Sequence, residues 1–202
     1  MAPPLTETEN GRVKQQAEAK EAKRRRENAK KAAEAANELF PDEQWKSVGD
    51  GIYLSPNRPT GAKSSYAEEL KDAQILRGFG STVYLVPDIR SALGRKYDAI
   101  VDGLQFEFKN VGGNANTLVT HFLKSRSQAP NVFINLETSN LTRSEVMAAL
   151  YGARNSGTRT TEGGAVIKGY ADYNRFAGGR IVLKLKGQDT LIYLDVEDLK
   201  MP

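Results

Sequence analysis

Two carboxylates and an amine, Asp98, Glu107 and Lys109, stand close together in the stretch Tyr97-Asp98-Ala99-Ile100-Val101-Asp102-Gly103-Leu104-Gln105-Phe106-Glu107-Phe108-Lys109-Asn110. The stretch reads as a β-hairpin. Ala99 to Val101 is apolar, and Asp102-Gly103 is a dipeptide favoured in two-residue type I′ turns, where both central residues need φ > 0. Beyond it, Leu104, Phe106 and Phe108 alternate with Gln105, Glu107 and Lys109, the period of a half-buried strand. A turn centred on Asp102-Gly103 pairs Val101 with Leu104, Ile100 with Gln105, Ala99 with Phe106 and Asp98 with Glu107. Opposed residues share a face with Cβ atoms about 5 Å apart, and Lys109 joins Glu107 on that face. Like charges across a strand pair are destabilising, so the arrangement calls for a compensating cation. A divalent metal with hard oxygen ligands, Mg²⁺ or Mn²⁺, is the natural candidate. The plainer reading is that both acids are solvated and Lys109 is an ordinary ion-pair partner; the hairpin alone does not choose.

The elements that would hold such a site must come from 202 residues, enough for one medium domain and an appendage. The 39% apolar content and mean hydropathy of -0.53 suit a soluble domain with a polar extension. No apolar run approaches the roughly 18 residues that span a bilayer. The first residues lack the apolar stretch of a signal peptide, so export would need another route or a larger carrier. The chain has no cysteine, which excludes disulfides, thiolate metal sites and cysteine nucleophiles, and one histidine, which excludes sites built on several imidazoles. A formal charge of +4 and a pI near 9.2 favour an anionic partner, nucleic acid being the commonest.

Residues 1–45 read as a charged helical extension or linker, and residues 46–202 as the folded domain. Arg12 to Leu39 is rich in strong helix formers. It lacks the large apolar stripe that would dock it on a core, and Lys20 to Lys31 is its most basic part. A solvated helix with internal charge pairs is the simple reading; an arm contacting nucleic acid or membrane is the other. Asp42 to Lys63 reads as a loop with one short strand at Gly51 to Leu54, anchored by Trp45. Ser64-Ser65 offers N-caps for a helix from Tyr66 to Gly78 with Leu70, Ala73, Ile75 and Leu76 inward. A strand Thr82 to Val86, a connector Ile89 to Lys96 and the hairpin follow. Asn114 to Arg126 reads as a helix with Leu118, Val119 and Phe122 inward. Asn131 to Leu136 is apolar enough for a strand buried on both faces. Thr142 and Glu145 form a capping box for a helix from Arg143 to Gly152. Residues 153–180 read as loop, and strands Arg180 to Lys186 and Leu191 to Val196 form a C-terminal β extension (180–197). The expected fold class is α/β (α+β), a central mixed sheet flanked by helices.

This order resembles the PD-(D/E)XK nuclease core, above all the C-terminal tRNase domains of contact-dependent growth inhibition toxins and related polymorphic toxins. The likeness is carried by Glu69-Leu-Lys-Asp-Ala-Gln-Ile-Leu-Arg-Gly-Phe-Gly, by the strand Thr82 to Val86, and by Asp98 with Glu107-Phe108-Lys109. Ser125-Arg126-Ser127-Gln128-Ala129 ahead of the apolar strand completes it. It covers residues 64–152. Asp98 follows Tyr97 and not the proline that names the fold; the literal Pro87-Asp88 ends a different strand and is read as a decoy.

The resemblance implies catalytic residues Glu69, Asp98, Glu107, Lys109 and Gln128. Asp98, Glu107, the Phe108 backbone carbonyl and Glu69 would hold a divalent metal, Mg²⁺ first, with Mn²⁺ or Zn²⁺ as alternatives. Glu68 is the neighbour that could replace Glu69. The metal would activate a water and stabilise charge on the scissile phosphate, and Lys109 would orient that water or neutralise the phosphorane. Arg77, Lys124, Arg126 and His121 are candidate substrate contacts, with Arg90, Arg95, Lys96, Arg154 and Arg159 as further basic residues. A helix-face histidine is the plain reading of His121. Tyr151, Tyr170 and Tyr173 are candidate stacking platforms. The implied function is a toxin-type, metal-dependent endonuclease cutting RNA, tRNA above all. It would be delivered into target bacteria within a larger secreted protein, act in the cytoplasm and be neutralised by a cognate immunity protein. A DNA endonuclease with the same core, and a non-catalytic phage or mobile-element binding module, are the alternatives.

Overall fold

Eight strands hydrogen-bond into one mixed sheet with helices on both faces. The computed structural model describes residues 7–61, 64–87, 96–155, 159–160, 166–167 and 179–199. In chain order the elements are α1 (Glu7–Leu39), β1 (Lys46–Gly49), β2 (Ile52–Leu54), α2 (Tyr66–Gly78), β3 (Val83–Leu85), β4 (Ala99–Val101) and β5 (Leu104–Asn110). There follow α3 (Ala115–Ser125), β6 (Asn131–Leu136), α4 (Arg143–Asn155), β7 (Arg159–Thr160), β8 (Val166–Ile167), β9 (Arg180–Leu185) and β10 (Leu191–Asp195). The sheet order is β1-β2-β3-β4-β5-β6-β9-β10, and β7 and β8 pair separately. Strands β2 and β3 are parallel, as are β5, β6 and β9; the other neighbours are antiparallel. The expected class, α/β (α+β) with a central mixed sheet and flanking helices, is what the chain adopts.

The hairpin has the register its sequence dictates: Val101 opposes Leu104, Ile100 opposes Gln105 and Ala99 opposes Phe106. Asp102 and Gly103 take φ of 50° and 88°, the left-handed pair a type I′ turn requires. Alternation divides the core. Phe106, Phe108, Phe133 and Val182 face α2 through Ala73 and Leu76. Val132, Ile134, Ile181 and Leu183 face α3 and α4 through Leu118, Phe122, Val146 and Leu150. Strand β6 is buried along its whole length, as an apolar run between two layers must be. The Thr142–Glu145 capping box forms, each backbone N–H bonded to the other side chain at 2.8 and 3.3 Å.

Four local expectations are corrected. Helix α1 does dock, although it has no large apolar stripe: Ala32 and Ala36, one turn apart, are fully buried against Tyr84, Val86, Tyr97 and Ile100. Small side chains let the helix approach closely where bulky ones would have advertised the contact. Second, the Asp42–Lys63 loop contains an extra edge strand, β1, paired with β2; Trp45 anchors it edge-on to Tyr84 and Phe40 as expected. Third, Ser65 stands at the N-cap of α2 without capping it, because its hydroxyl donates instead to the Glu69 carboxylate. Fourth, the stretch read as loop holds the last turn of α4 and the β7–β8 pair. Most of the 89–96 connector, with Asp88, Arg90 and Arg95, lies outside the described residues, as do Tyr170 and Tyr173.

Candidate active site

Strand β5 outruns its hairpin partner. Its ladder with β4 stops at Ala99–Phe106, whereas β6 continues alongside Glu107, Phe108, Lys109 and Asn110. At this fork a cleft of about 590 Å³ opens, reached by both helical layers. It is lined by Glu68, Glu69 and Asp72 from α2, by Asp98, by Glu107 to Asn110, and by His121, Lys124 and Gln128 from α3 and its end.

Asp98 does not continue the ladder opposite Glu107. Its N–H donates to the Phe106 carbonyl at 3.0 Å, and its Oδ2 accepts the Phe108 N–H at 2.8 Å. The side chain thus replaces the missing strand. Phe106 and Phe108 present their backbone groups to this edge, so strand geometry puts the Phe108 carbonyl on the same side. The two acids still meet, close enough for the Asp98 charge to raise the Glu107 pKa.

That meeting is costly in a site this dry. Glu107 is 2% exposed; burial first, and then the neighbouring Asp98 charge, push its pKa up to about 8 despite the adjacent Lys109. Asp98 is also raised, chiefly by burial and further by Glu69, against the Phe108 N–H, Arg58 and Lys109. Lys109 Nζ donates to Glu107 Oε1, while Glu107 Oε2 is buried with no hydrogen-bond partner. A buried acceptor without a partner loses its hydration for nothing. Hard oxygens from Asp98 and Glu107, a carbonyl on the same edge and an orphaned Oε2 fit a divalent cation.

Glu69 has a different partner. Its Oε2 accepts from Arg58 Nε at 2.9 Å and from Arg58 Nη2, and its Oε1 from Ser65. Among the described residues, no group of three or more His, Cys, Asp or Glu is disposed to hold a metal ion. The oxygens that could hold such an ion are therefore those of Asp98, Glu107 and the Phe108 carbonyl, with Glu69 beside them as a carboxylate paired to Arg58. Glu68 lines the cleft from the exposed side.

The remaining candidates divide by place. His121, Lys124 and Gln128 recur at a three- and four-residue spacing and line one wall; burial and the charges of Lys109 and Lys124 lower the His121 pKa, so it is neutral near pH 7. Arg77 is elsewhere, its guanidinium bonded to Asp50 beside the β1–β2 turn. Arg126 is 1% exposed and bonds the Pro130 carbonyl, a buried position away from the cleft lining. Two residues that sequence reasoning passed over sit at the site. Arg58 lies in a loop with no periodicity to flag it. Asp72 was legible in principle: Glu69, Asp72, Ala73 and Leu76 form the buried stripe of α2, and two acids in such a stripe need a reason.

No protein-family model matches this chain, and none of the curated proteins compared with it is similar. Among solved structures, a CdiA-CT/CdiI toxin and immunity complex from Burkholderia pseudomallei is similar with a TM-score of 0.49 and 18% identity. The match covers 70% of this chain and 98% of that one. A likeness of this depth assigns no residue role and no activity to this chain.

Proposed function

We propose that the chain is a metal-dependent endonuclease of toxin type that hydrolyses phosphodiester bonds in RNA, tRNA being the preferred class. The observation that carries this reading is the cleft at the sheet fork, where Asp98, Glu107 and Lys109 converge with Glu107 Oε2 unsatisfied. Asp98, Glu107 and the Phe108 carbonyl would hold the ion, Mg²⁺ first. When bound, a divalent cation lowers the pKa of a water and offsets charge building on the scissile phosphate. Lys109 keeps a positive charge at the reacting centre, where it orients the nucleophile and stabilises the phosphorane. His121, Lys124 and Gln128 line the same cleft, which suits a phosphate backbone entering along α3. A toxin of this type needs a cognate immunity protein in the producing cell and a larger secreted carrier; an acidic inhibitor would suit the chain's net positive charge.

The test is to incubate purified protein with total tRNA and, separately, with plasmid DNA, with Mg²⁺ or EDTA, and to map the cut ends. Discrete Mg²⁺-dependent tRNA ends, lost in Asp98→Ala and Lys109→Ala proteins that remain folded, are expected. Cleavage of plasmid alone would transfer the reading to DNA. Cleavage that survives EDTA and both substitutions would remove it.

A further inference from the structure

Arg58 is 8% exposed, yet every edge of its guanidinium is engaged. Nε and Nη2 fork onto Glu69 Oε2. Nη1 donates to the carbonyls of Val86 and, at 3.0 Å, of Asp98. Nη2 also stands 3.7 Å from Asp98 Oδ1. One side chain thereby ties α2, the end of β3 and the start of β4 together. Val86 and Asp98 flank the connector between those strands, so Nη1 closes its base.

The segment that carries Arg58 is itself fixed. Ser55, fully buried, donates its N–H to the Leu85 carbonyl at 3.0 Å and its hydroxyl to Glu43 at 2.6 Å. Its carbonyl accepts the Arg58 N–H at 3.2 Å. The guanidinium is therefore held from behind, and the planar fork leaves little freedom to the groups it meets.

Resting on the nuclease reading above, we propose that Arg58 is the positioning residue of the site: it neutralises Glu69 in place of a metal and fixes the Asp98 carboxylate in the orientation that receives the divalent ion. Besides its backbone bonds with Phe106 and Val86, Asp98 is held at Oδ2 by the Phe108 N–H, at Oδ1 by the proximity of Arg58 and at its own carbonyl by Nη1. Glu69 then acts through Arg58 and not on the ion. The guanidinium, at the lining of the cleft, faces carboxylate and carbonyl oxygens.

Removing Arg58 alone strands Glu69 as a buried unpaired charge, which can unfold the protein. The informative variant is the double substitution Arg58→Met with Glu69→Met, which deletes both charges, beside Arg58→Lys, which keeps the charge and discards the fork. Each is read by circular dichroism for folding, by calorimetric titration with Mn²⁺ alone, and by kcat and KM on tRNA. For the double variant, Mn²⁺ binding and kcat are each expected to fall about 10–100-fold, the usual effect of losing a group that orients a metal ligand, with KM for RNA unchanged. Arg58→Lys is expected to recover neither. Wild-type Mn²⁺ affinity and kcat in either folded variant would overturn the proposal. Failure of both variants to fold, with the wild type active, would overturn it in favour of a purely structural clamp. Wild-type protein that takes up no Mn²⁺ and cuts no RNA would overturn the parent reading and this one with it.

Discussion

Asp72 and Glu107 are both buried carboxylates on the same cleft, and their surroundings could hardly differ more. Each oxygen of Asp72 accepts an amide, from Asn110 and Asn135, both at 2.8 Å. Burial still raises its pKa to about 6, against the lowering effect of those two bonds. Glu107 has one oxygen on Lys109 and one on nothing, with Asp98 alongside, and rises to about 8. A satisfied buried acid is part of the scaffold; it pins α2 to the adjoining ends of β5 and β6. A buried acid left short of partners destabilises the resting protein, and the natural remedy is a ligand.

The sharpest way to break that contrast is substitution. Glu107→Gln or Asp98→Asn should reduce tRNA cleavage by about 10²–10³-fold or more, yet both metal-free proteins should melt at higher temperature than wild type above pH 8. A fall in both activity and melting temperature would mean that Glu107 is scaffold as well. Asp72→Ala should do the opposite, costing about 2–4 kcal/mol in urea unfolding because two buried amides lose their acceptor.

Titration sharpens the comparison. Both acids have folded pKa values above their unfolded ones, so each favours the folded state fully below the unfolded value and loses that contribution as pH rises through the folded one. For Asp72 the loss runs from about pH 4 to about pH 6, and for Glu107 it extends to about pH 8. Metal-free wild type should therefore lose stability, on the order of a few kcal/mol, between about pH 4 and about pH 8, and Glu107→Gln should abolish the upper part of that decline. Because an ion must displace the Glu107 proton, Mn²⁺ affinity should rise across the same upper range. The smallest effects belong to the rim. Lys124→Ala should lower the salt slope of RNA binding by about 1, whereas Arg77→Ala, removed from the cleft and paired with the 90% exposed side chain of Asp50, should change stability by less than about 1 kcal/mol.

Local signals carried much of this architecture. The Asp102-Gly103 turn dictated the hairpin register, the apolar run Asn131 to Leu136 the central strand, and the Thr142–Glu145 pair the start of α4. What escaped was three-dimensional. The ladder was expected to continue to Asp98 and Glu107; it stops one pair earlier, and Asp98 bonds the Phe108 N–H instead. Arg58 has no neighbours in sequence that betray it, because its partners come from three separate elements. Ser65 carried a sound capping signal, overridden by a carboxylate within reach. Alanine docking of α1 was invisible to a reading that looks for large apolar residues.

The most direct test of the account is an anomalous difference map from crystals soaked in Mn²⁺ at pH 8. A single strong peak bounded by Asp98, Glu107 and the Phe108 carbonyl is expected, with Glu69 still on Arg58. A map with no peak in the cleft, and Glu107 still paired with Lys109 alone, would contradict it.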